Sequence, residues 1–330
     1  MFTNERGAGA PAGSRPSSSR RRRHPVRIGL DIGGTKVDAV AIDADDTVVA
    51  SLRRPTGHGA DEVLATAARA VDDLVAGLGR PAVASVGAGI PGMVDPATGT
   101  VQHAVNLGID GFPFGVELEG RLGVPVAVEN DVNAAALGVS HLLGLGGSLA
   151  YLNVGTGLAA GLVTDGVLLR GARGGAGEIG HVPVDPAGLL CPCGQRGCLE
   201  TMASGAGLAR QWHGSGAHAA VEVFRAAQEG DTTALAVRAR LAEGIAGAVR
   251  ILVLTNDVDA VVVGGGISRL GAPLLGDLLA VLAGQAATSP FLASLEIADR
   301  VRLLPPDLPA ASVGAALLRP AHELHRPLTR

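Results

Sequence analysis

The chain of 330 residues is poor in cysteine, aromatic rings and lysine. Its three cysteines all fall between positions 191 and 198. An odd, clustered trio excludes a disulfide framework and suits a reducing cytoplasm, where grouped thiols serve metal binding or catalysis. Aromatic residues are 2% of the chain, with Trp212 and Tyr151 single of their kind, so a bound base or sugar must be held by hydrogen bonds and backbone rather than by stacking. Lys36 is the one lysine among 27 basic residues. The formal net charge of −4 gives no overall attraction to nucleic acid or anionic membranes. No apolar run reaches the ~18 residues of a membrane span. Residues 1–25 are rich in Gly, Pro, Ser and Arg without an apolar stretch, so they do not read as a secretory signal. The basic run Arg20 to Arg23 beside serines is expected to be a solvated, disordered tail rather than a nucleic-acid arm.

What is abundant is aliphatic. Hydrophobic residues reach 47%, enough for a substantial core. From Val26, "VRIGLDIGG" and "VDAVAID" read as two strands around a Gly-Gly-Thr turn, and "VVASLRRP" as a third. "ADEVLATAARAVDDLVAGL" places Val63, Ala67, Ala70, Val71 and Leu74 on one helical face. "AVASVGAGI" and "VPVAVEN" are apolar strands, and "DVNAAALGVSHLLG" has helix composition with an acid at its start. The pattern then restarts with "SLAYLNVG", "TG" and "LAAGLVTDGVLL": strand, tight turn, strand. Helical segments follow between about Gly207 and Leu254, then the strand "DAVVVGGG", the helix "GAPLLGDLLAVLAGQ", the strand "RVRLLPP" and the helix "ASVGAALLRP". Two halves that open alike and continue in alternating strand and helix imply two α/β lobes facing each other.

Each half has a glycine turn. The first holds Asp31, Gly33, Gly34, Thr35 and Lys36; the second holds Gly155, Thr156 and Gly157. Successive backbone N–H groups in such turns form an anion-binding concavity. Each alone is equally an ordinary hairpin turn; together, at matching places, they suit one polyphosphate held between two lobes. Neither is a Walker loop, and "GAGIPG" at Gly87 to Gly92 is no dinucleotide fingerprint, because Pro91 interrupts it and no helix period follows. Gly264, Gly265 and Gly266 end an apolar strand, either as a backbone surface for adenine or ribose or as a plain strand-to-helix turn.

Cys191, Cys193 and Cys198 stand as C-x-C-x4-C, with Gly194 and Gly197 permitting tight turns between them. With His181 they make four soft or borderline ligands, the number a tetrahedral Zn²⁺ takes, and a site closed by four protein ligands is structural. Fastening His181 and Cys198 to one ion would bring Glu178 and Glu200 near a common point, an arrangement that suits a ligand with several hydroxyls.

The segments Glu178-Ile-Gly-His181 and Cys191-Pro-Cys193-Gly-Gln-Arg-Gly-Cys198-Leu-Glu200, together with "DIGGTK" and "ENDVNAAA", resemble the signatures of the ROK family of repressors, open reading frames and sugar kinases. The resemblance runs from about Val26 to Leu318. It implies an actin-like (ribonuclease H-like) ATPase fold of two lobes with a cleft between them. The expected division is 26–131 plus 311–325 as a small lobe and 132–310 as a large lobe carrying the zinc loop. It further implies transfer of the γ-phosphate of ATP, with Mg²⁺, to a hexose, most often glucose at C6. Asp131 would be the base. Gly92, Asn106, Asn130, Glu178, His181 and Glu200 would line the sugar pocket, and the two glycine turns would hold the phosphates with Asp31 serving Mg²⁺. His181, Cys191, Cys193 and Cys198 would bind zinc, in a homodimer or homotetramer. The sequence departs from the family where Ala159 and Ala160 follow Leu158, so that one customary glycine of the second turn is missing. Alternatives are a kinase for another hexose or an N-acetyl-hexosamine, one using polyphosphate, or a sugar-responsive regulator. The last would need a winged helix-turn-helix before Asp31, and the Arg-rich stretch there has no helical period.

Overall fold

The computed structural model describes residues 25–213 and 218–320. The remainder, including residues 1–24 of the expected tail and 321–325 of the expected small lobe, lies outside the described residues. The first half runs β1 (Val26–Ile32), β2 (Lys36–Ile42), β3 (Val48–Pro55), α1 (Ala60–Gly77), β4 (Val83–Ile90), β5 (Met93–Asp95), β6 (Thr100–Gln102), α2 (Phe114–Leu122) and β7 (Val126–Asn130). The second runs α3 (Asp131–Leu142), β8 (Ser148–Val154), β9 (Leu158–Thr164), β10 (Val167–Leu168), α4 (Gly205–Gln211), α5 (Ala219–Gln228), α6 (Thr232–Asn256), β11 (Ala260–Gly264), α7 (Ala272–Thr288), α8 (Pro290–Ser294), β12 (Val301–Leu303) and α9 (Ala310–Ala316).

The internal repeat is carried by sheet order. One sheet runs β3-β2-β1-β4-β7 and the other β10-β9-β8-β11-β12. In each, three antiparallel strands continue into parallel ones across the first strand of the half. This places the C-terminal ends of β1 and β8, and the turns that follow them, at equivalent corners. In α1 the stripe read from the sequence, Val63, Ala67, Ala70, Val71 and Leu74, is buried, and Leu64 is buried beside it. Such a stripe packs against the first sheet, and truncating a member such as Leu74 to Ala should cost ~2–5 kcal/mol.

Two features differ from the sequence reading. "LAAGLVTDGVLL" is not one strand, because Asp165 and Gly166 both take positive φ and turn β9 into β10. Asp-Gly is a strong two-residue hairpin signal. The hairpin β5–β6 and the nine-residue α2 also form, in a stretch left unassigned by periodicity because its apolar runs are too short to show a period.

Helices α3 and α9 lie between the sheets, α9 against β1, β4 and β2 and α3 against β9, β8 and β4. They cross at backbone contact. A Cβ on Gly138 would lie 1.9 Å from the Ala310 carbonyl oxygen, and one on Gly314 would lie 1.7 Å from that of Ala134. Only residues without a side chain permit that approach. Among the described residues no helix is long and apolar enough to cross a membrane.

Candidate active site

The first glycine turn is braced from behind. Gly33 N–H donates to the Lys36 carbonyl at 2.9 Å. The buried Thr56 hydroxyl donates to the Gly33 carbonyl at 2.6 Å, and Thr56 N–H to that of Thr35 at 3.2 Å. The turn's outer face, Gly34 and Thr35, stays exposed. Lys36 is paired through Nζ with Asp38 Oδ2 at 2.9 Å, an exchangeable partner at the cleft edge. Asn106, exposed on a single 3₁₀ turn at Val105–Leu107, lies over Gly34, whose added Cβ would sit 3.4 Å from the Asn106 Cβ.

The second turn is braced differently. Gly155 N–H donates to the Gly157 carbonyl at 3.0 Å, while the carbonyls of Gly155 and Thr156 accept from Gly205 N–H (2.8 Å) and Ala206 N–H (3.0 Å) at the start of α4. Glu200 Oε2 accepts from Leu158 N–H at 3.1 Å, and a Cβ on Gly157 would lie 2.7 Å from that same oxygen. The residue the sequence set beside the sugar is therefore also the clamp of this phosphate turn. Gly161, the glycine retained after Ala159 and Ala160, answers to packing: its Cβ would meet Ala136 Cβ at 2.6 Å on α3.

Between the turns α3 begins. Asn130, not Asp131, is its N-cap: Asn130 Oδ1 accepts from Val132 and Asn133 N–H, and its Nδ2 donates to the Gly92 carbonyl at 3.0 Å. Gly92 holds φ at 99°, which favours glycine at that bend. Asp131 is thus the first helical residue, with Oδ1 accepting from Val132 N–H at 3.0 Å. Burial, and then the charge of Glu178, push the Asp131 carboxyl up, against the hydrogen bonds from the helix start. Asp31, at the end of β1, is pushed up to about 7 by burial, then by Asp131 and Asp38, with Lys36 and Arg53 opposing. Two carboxyls that each resist ionisation at a lobe junction are a site waiting for positive charge.

Asp31 and Lys36 line a cleft of about 1190 Å³ together with Tyr151, Gly265 and Gly266 of the opposite sheet. The three glycines ending β11 divide there. A Cβ on Gly264 would strike the Tyr151 ring at 2.4 Å, and one on Gly265 the Asn153 side chain at 2.6 Å, whereas Gly266 faces open space. Gly264 therefore seats a tyrosine, and the open backbone surface begins at Gly266. Tyr151, whose phenol burial pushes up, was legible only as the chain's single tyrosine.

His181, Cys191, Cys193 and Cys198 bring one ligand atom each to within 4.8 Å of one another. Cys191 Sγ is 3.8 Å from His181 Nδ1 and Cys193 Sγ is 3.7 Å from Cys198 Sγ. Hydrogen bonds from Gln195 pull the Cys193 thiol down to about 6, while burial and then the neighbouring thiols push Cys198 up to about 12. Three sulfurs and one imidazole crowded this closely fit a tetrahedral Zn²⁺, which offsets their mutual repulsion as thiolates. The other ring nitrogen, Nε2, lies 3.9 Å from Glu178 Oε2, so the metal set leaves one face of His181 toward the carboxylate.

Two residues went unread. Glu129 is a buried acid inside the apolar run "VPVAVEN", and Arg170 precedes the glycine-rich stretch leading to Glu178. They pair, with Arg170 Nε donating to Glu129 Oε2 at 2.5 Å. An acid inside an otherwise apolar strand was the available signal.

The sequence profile of the ROK family matches residues 27–303. A glucokinase of Halalkalibacterium halodurans is 34% identical over 272 residues, covering 75% of this chain and 82% of that protein. Among solved structures, a ROK hexokinase from Thermus thermophilus is similar at TM-score 0.76 and 33% identity, over 88% of this chain and 97% of the other. A ROK family glucokinase from Streptomyces griseus, solved with glucose and AMPPNP, is similar at TM-score 0.70 and 32% identity, over 88% and 98%.

Proposed function

The chain belongs to the ROK family, and we propose that it is a cytoplasmic glucokinase that transfers the γ-phosphate of ATP to the C6 hydroxyl of glucose. The observation that carries this reading is geometric: Asp31 pairs with Gly89 of β4, and a Cβ on Gly89 would lie 3.5 Å from the Asp131 Cα, so two carboxyls from different elements stand together near the two glycine turns. We assign 26–131 with 311–320, the described part of the expected 311–325, to one lobe and 132–310 to the other, of which 214–217 lie outside the described residues. The seating of α9 on β1 and β4, and of α3 on β8 and β9, supports that division.

Asp131 accepts the proton of the sugar hydroxyl as the new bond to phosphorus forms. Its raised pKa makes it a stronger base than an ordinary Asp, and its place at the N-terminus of α3 keeps the carboxylate form accessible. Phosphoryl transfer has a loose transition state, so alignment and neutralisation supply most of the acceleration. The N–H groups of Gly34 and Thr35 in the first turn and of Thr156 and Gly157 in the second hold the phosphates, Lys36 exchanges Asp38 for them, and Gly266 leaves the backbone open toward the nucleoside. Mg²⁺ carried with ATP would be held by Asp31 and would supply charge neutralisation at the β- and γ-phosphates. Asn106, Asn130, Glu178, His181 and Glu200 orient the sugar hydroxyls. Lobe closure excludes water, which otherwise competes as acceptor. Zinc at His181, Cys191, Cys193 and Cys198 takes no part in the chemistry and shapes the segment from Glu178 to Glu200.

A coupled assay with ATP or polyphosphate, against a panel of hexoses and N-acetyl-hexosamines, tests the reading. Glucose with ATP should give the highest kcat/KM. Transfer to no hexose, or a clear preference for an N-acetyl-hexosamine, would remove it.

A further inference from the structure

Glu129 and Arg170 come from opposite sheets. Glu129 is the penultimate residue of β7 in the first, and Arg170 lies two residues past β10 in the second. Every bond of the buried Glu129 carboxylate bears on the sugar end of the site. Oε1 accepts from the backbone N–H of Asn130 at 3.0 Å and from Asn133 Nδ2 on α3 at 3.0 Å. Oε2 accepts from Arg170 Nε at 2.5 Å. The carboxylate is 4% exposed and the Arg170 side chain 25%, so solvent screens the pair weakly.

Arg170 also begins a closed loop. Its carbonyl accepts from Ala176 N–H at 3.2 Å, and Gly171, Gly174 and Gly177 all hold positive φ. The loop touches the first half again at Gly174, whose Cβ would lie 3.5 Å from the Val94 carbonyl oxygen. Its far end is pinned to β9 by Ala160 N–H donating to the Gly177 carbonyl at 2.8 Å. The next residue is Glu178. A single ion pair therefore connects the backbone of Asn130, beside Asp131, with the loop that delivers Glu178 and His181.

We propose that the Glu129–Arg170 pair is a positioning element for the sugar: it holds the 170–177 loop against the start of α3, so that Glu178 and His181 stand opposite Asn130 and Asp131. The proposal rests on the glucokinase reading. The pair touches neither substrate, and the phosphate turns are braced by Thr56, Glu200 and α4 without it. Its loss should therefore weaken glucose more than ATP.

Glu129→Gln keeps an amide oxygen for Asn130 and Asn133 but turns an N–H toward Arg170, releasing the arginine without stranding a buried charge. Arg170→Met removes the partner itself, and Arg170→Lys keeps the charge without the guanidinium geometry. Steady-state kinetics and calorimetric glucose binding on all three, beside zinc content and melting temperature, are the test. Glu129→Gln and Arg170→Met should raise the glucose KM and Kd roughly tenfold, the scale of one charge-assisted bond, with the ATP KM within about twofold and zinc retained. Arg170→Lys should fall between them and wild type. Parallel increases in both substrates' KM, or folded variants with unchanged glucose affinity, would overturn the proposal. A wild-type protein that binds glucose but transfers no phosphate would sink the kinase reading alone, because the positioning role would still be read from the glucose Kd.

Discussion

The two glycine turns sit at matching corners of two sheets with the same strand order, yet they are held by different means. The first leans on one side chain, the Thr56 hydroxyl at 2.6 Å from the Gly33 carbonyl. The second leans on backbone, with the amides of Gly205 and Ala206 taking its carbonyls, and on the Glu200 carboxylate at Leu158 N–H. Their attachments differ accordingly. The brace of the first leads through Gly59 N–H and the Leu107 carbonyl (2.8 Å) to the turn that carries Asn106. The brace of the second leads through Glu200 to Cys198 and the metal ligands. Each glycine turn is thus joined to a different residue that the proposed function assigns to the sugar, Asn106 for the first and Glu200 for the second.

The strongest way to test the pairing of the turns is to disable what lies between them. Asp131→Ala should lower kcat by about 10³-fold, within the range of lost general-base catalysis, with the glucose Kd changed little; a rate near wild type would discard the assignment. Next in size is zinc. A strong chelator should strip one metal per chain and raise the KM values of glucose and ATP about 10- to 100-fold, because Glu200 serves both the sugar and the second turn. Full activity in metal-free protein would dissociate the second turn from the metal. A matched pair of substitutions then separates the turns. Gly157→Ala displaces Glu200 from Leu158 and should raise the ATP KM roughly tenfold, while Gly34→Ala meets Asn106 only at ordinary contact distance, its Cβ at 3.4 Å and its carbonyl oxygen at 3.7 Å, and should stay within about threefold. Equal effects would erase the distinction. Thr56→Val should leave the Gly33 carbonyl short of its donor and cost about 1–2 kcal/mol, measured by denaturant melts. The smallest effect is a pH trend. Because the folded-state pKa of Asp31 is raised to about 7 from 3.8, its contribution to stability is full at pH below 4 and is lost as pH rises toward 7. Asp31→Asn should therefore melt a few degrees higher than wild type at pH 8 and no higher at pH 4.

Much of this was readable without coordinates. The strands around both turns, the stripe of α1 and the clustering of His181 with the three cysteines depend on short-range pattern: period, turn chemistry and ligand spacing within a compact segment. What pattern does not show is where a neighbour distant in sequence adds to the local signal. Asp131 was legible as an acid at a helix start, but only the structure shows Asn130 capping that helix and leaving Asp131 as its first residue. The triple glycine looked like one nucleotide surface, but β11 pairs with β8, and Tyr151 and Asn153 use two of its three spaces. Glu200 looked like a sugar acceptor alone, and its bond to Leu158 could not be seen from a residue so far along the chain.

By itself the sequence determined the materials: two α/β halves, two glycine turns, and a His/Cys set whose members lie close enough in the chain for spacing to reveal it. The tertiary structure decided which materials meet. Asp31 finds Asp131 because β4 lies between β1 and β7 in the first sheet, and Glu129 finds Arg170 because α3 and α9 cross at glycines close enough to bring the two sheets together. Local pattern reports the free energy of short segments, whereas those meetings depend on register and helix crossing, which are properties of the whole packed chain.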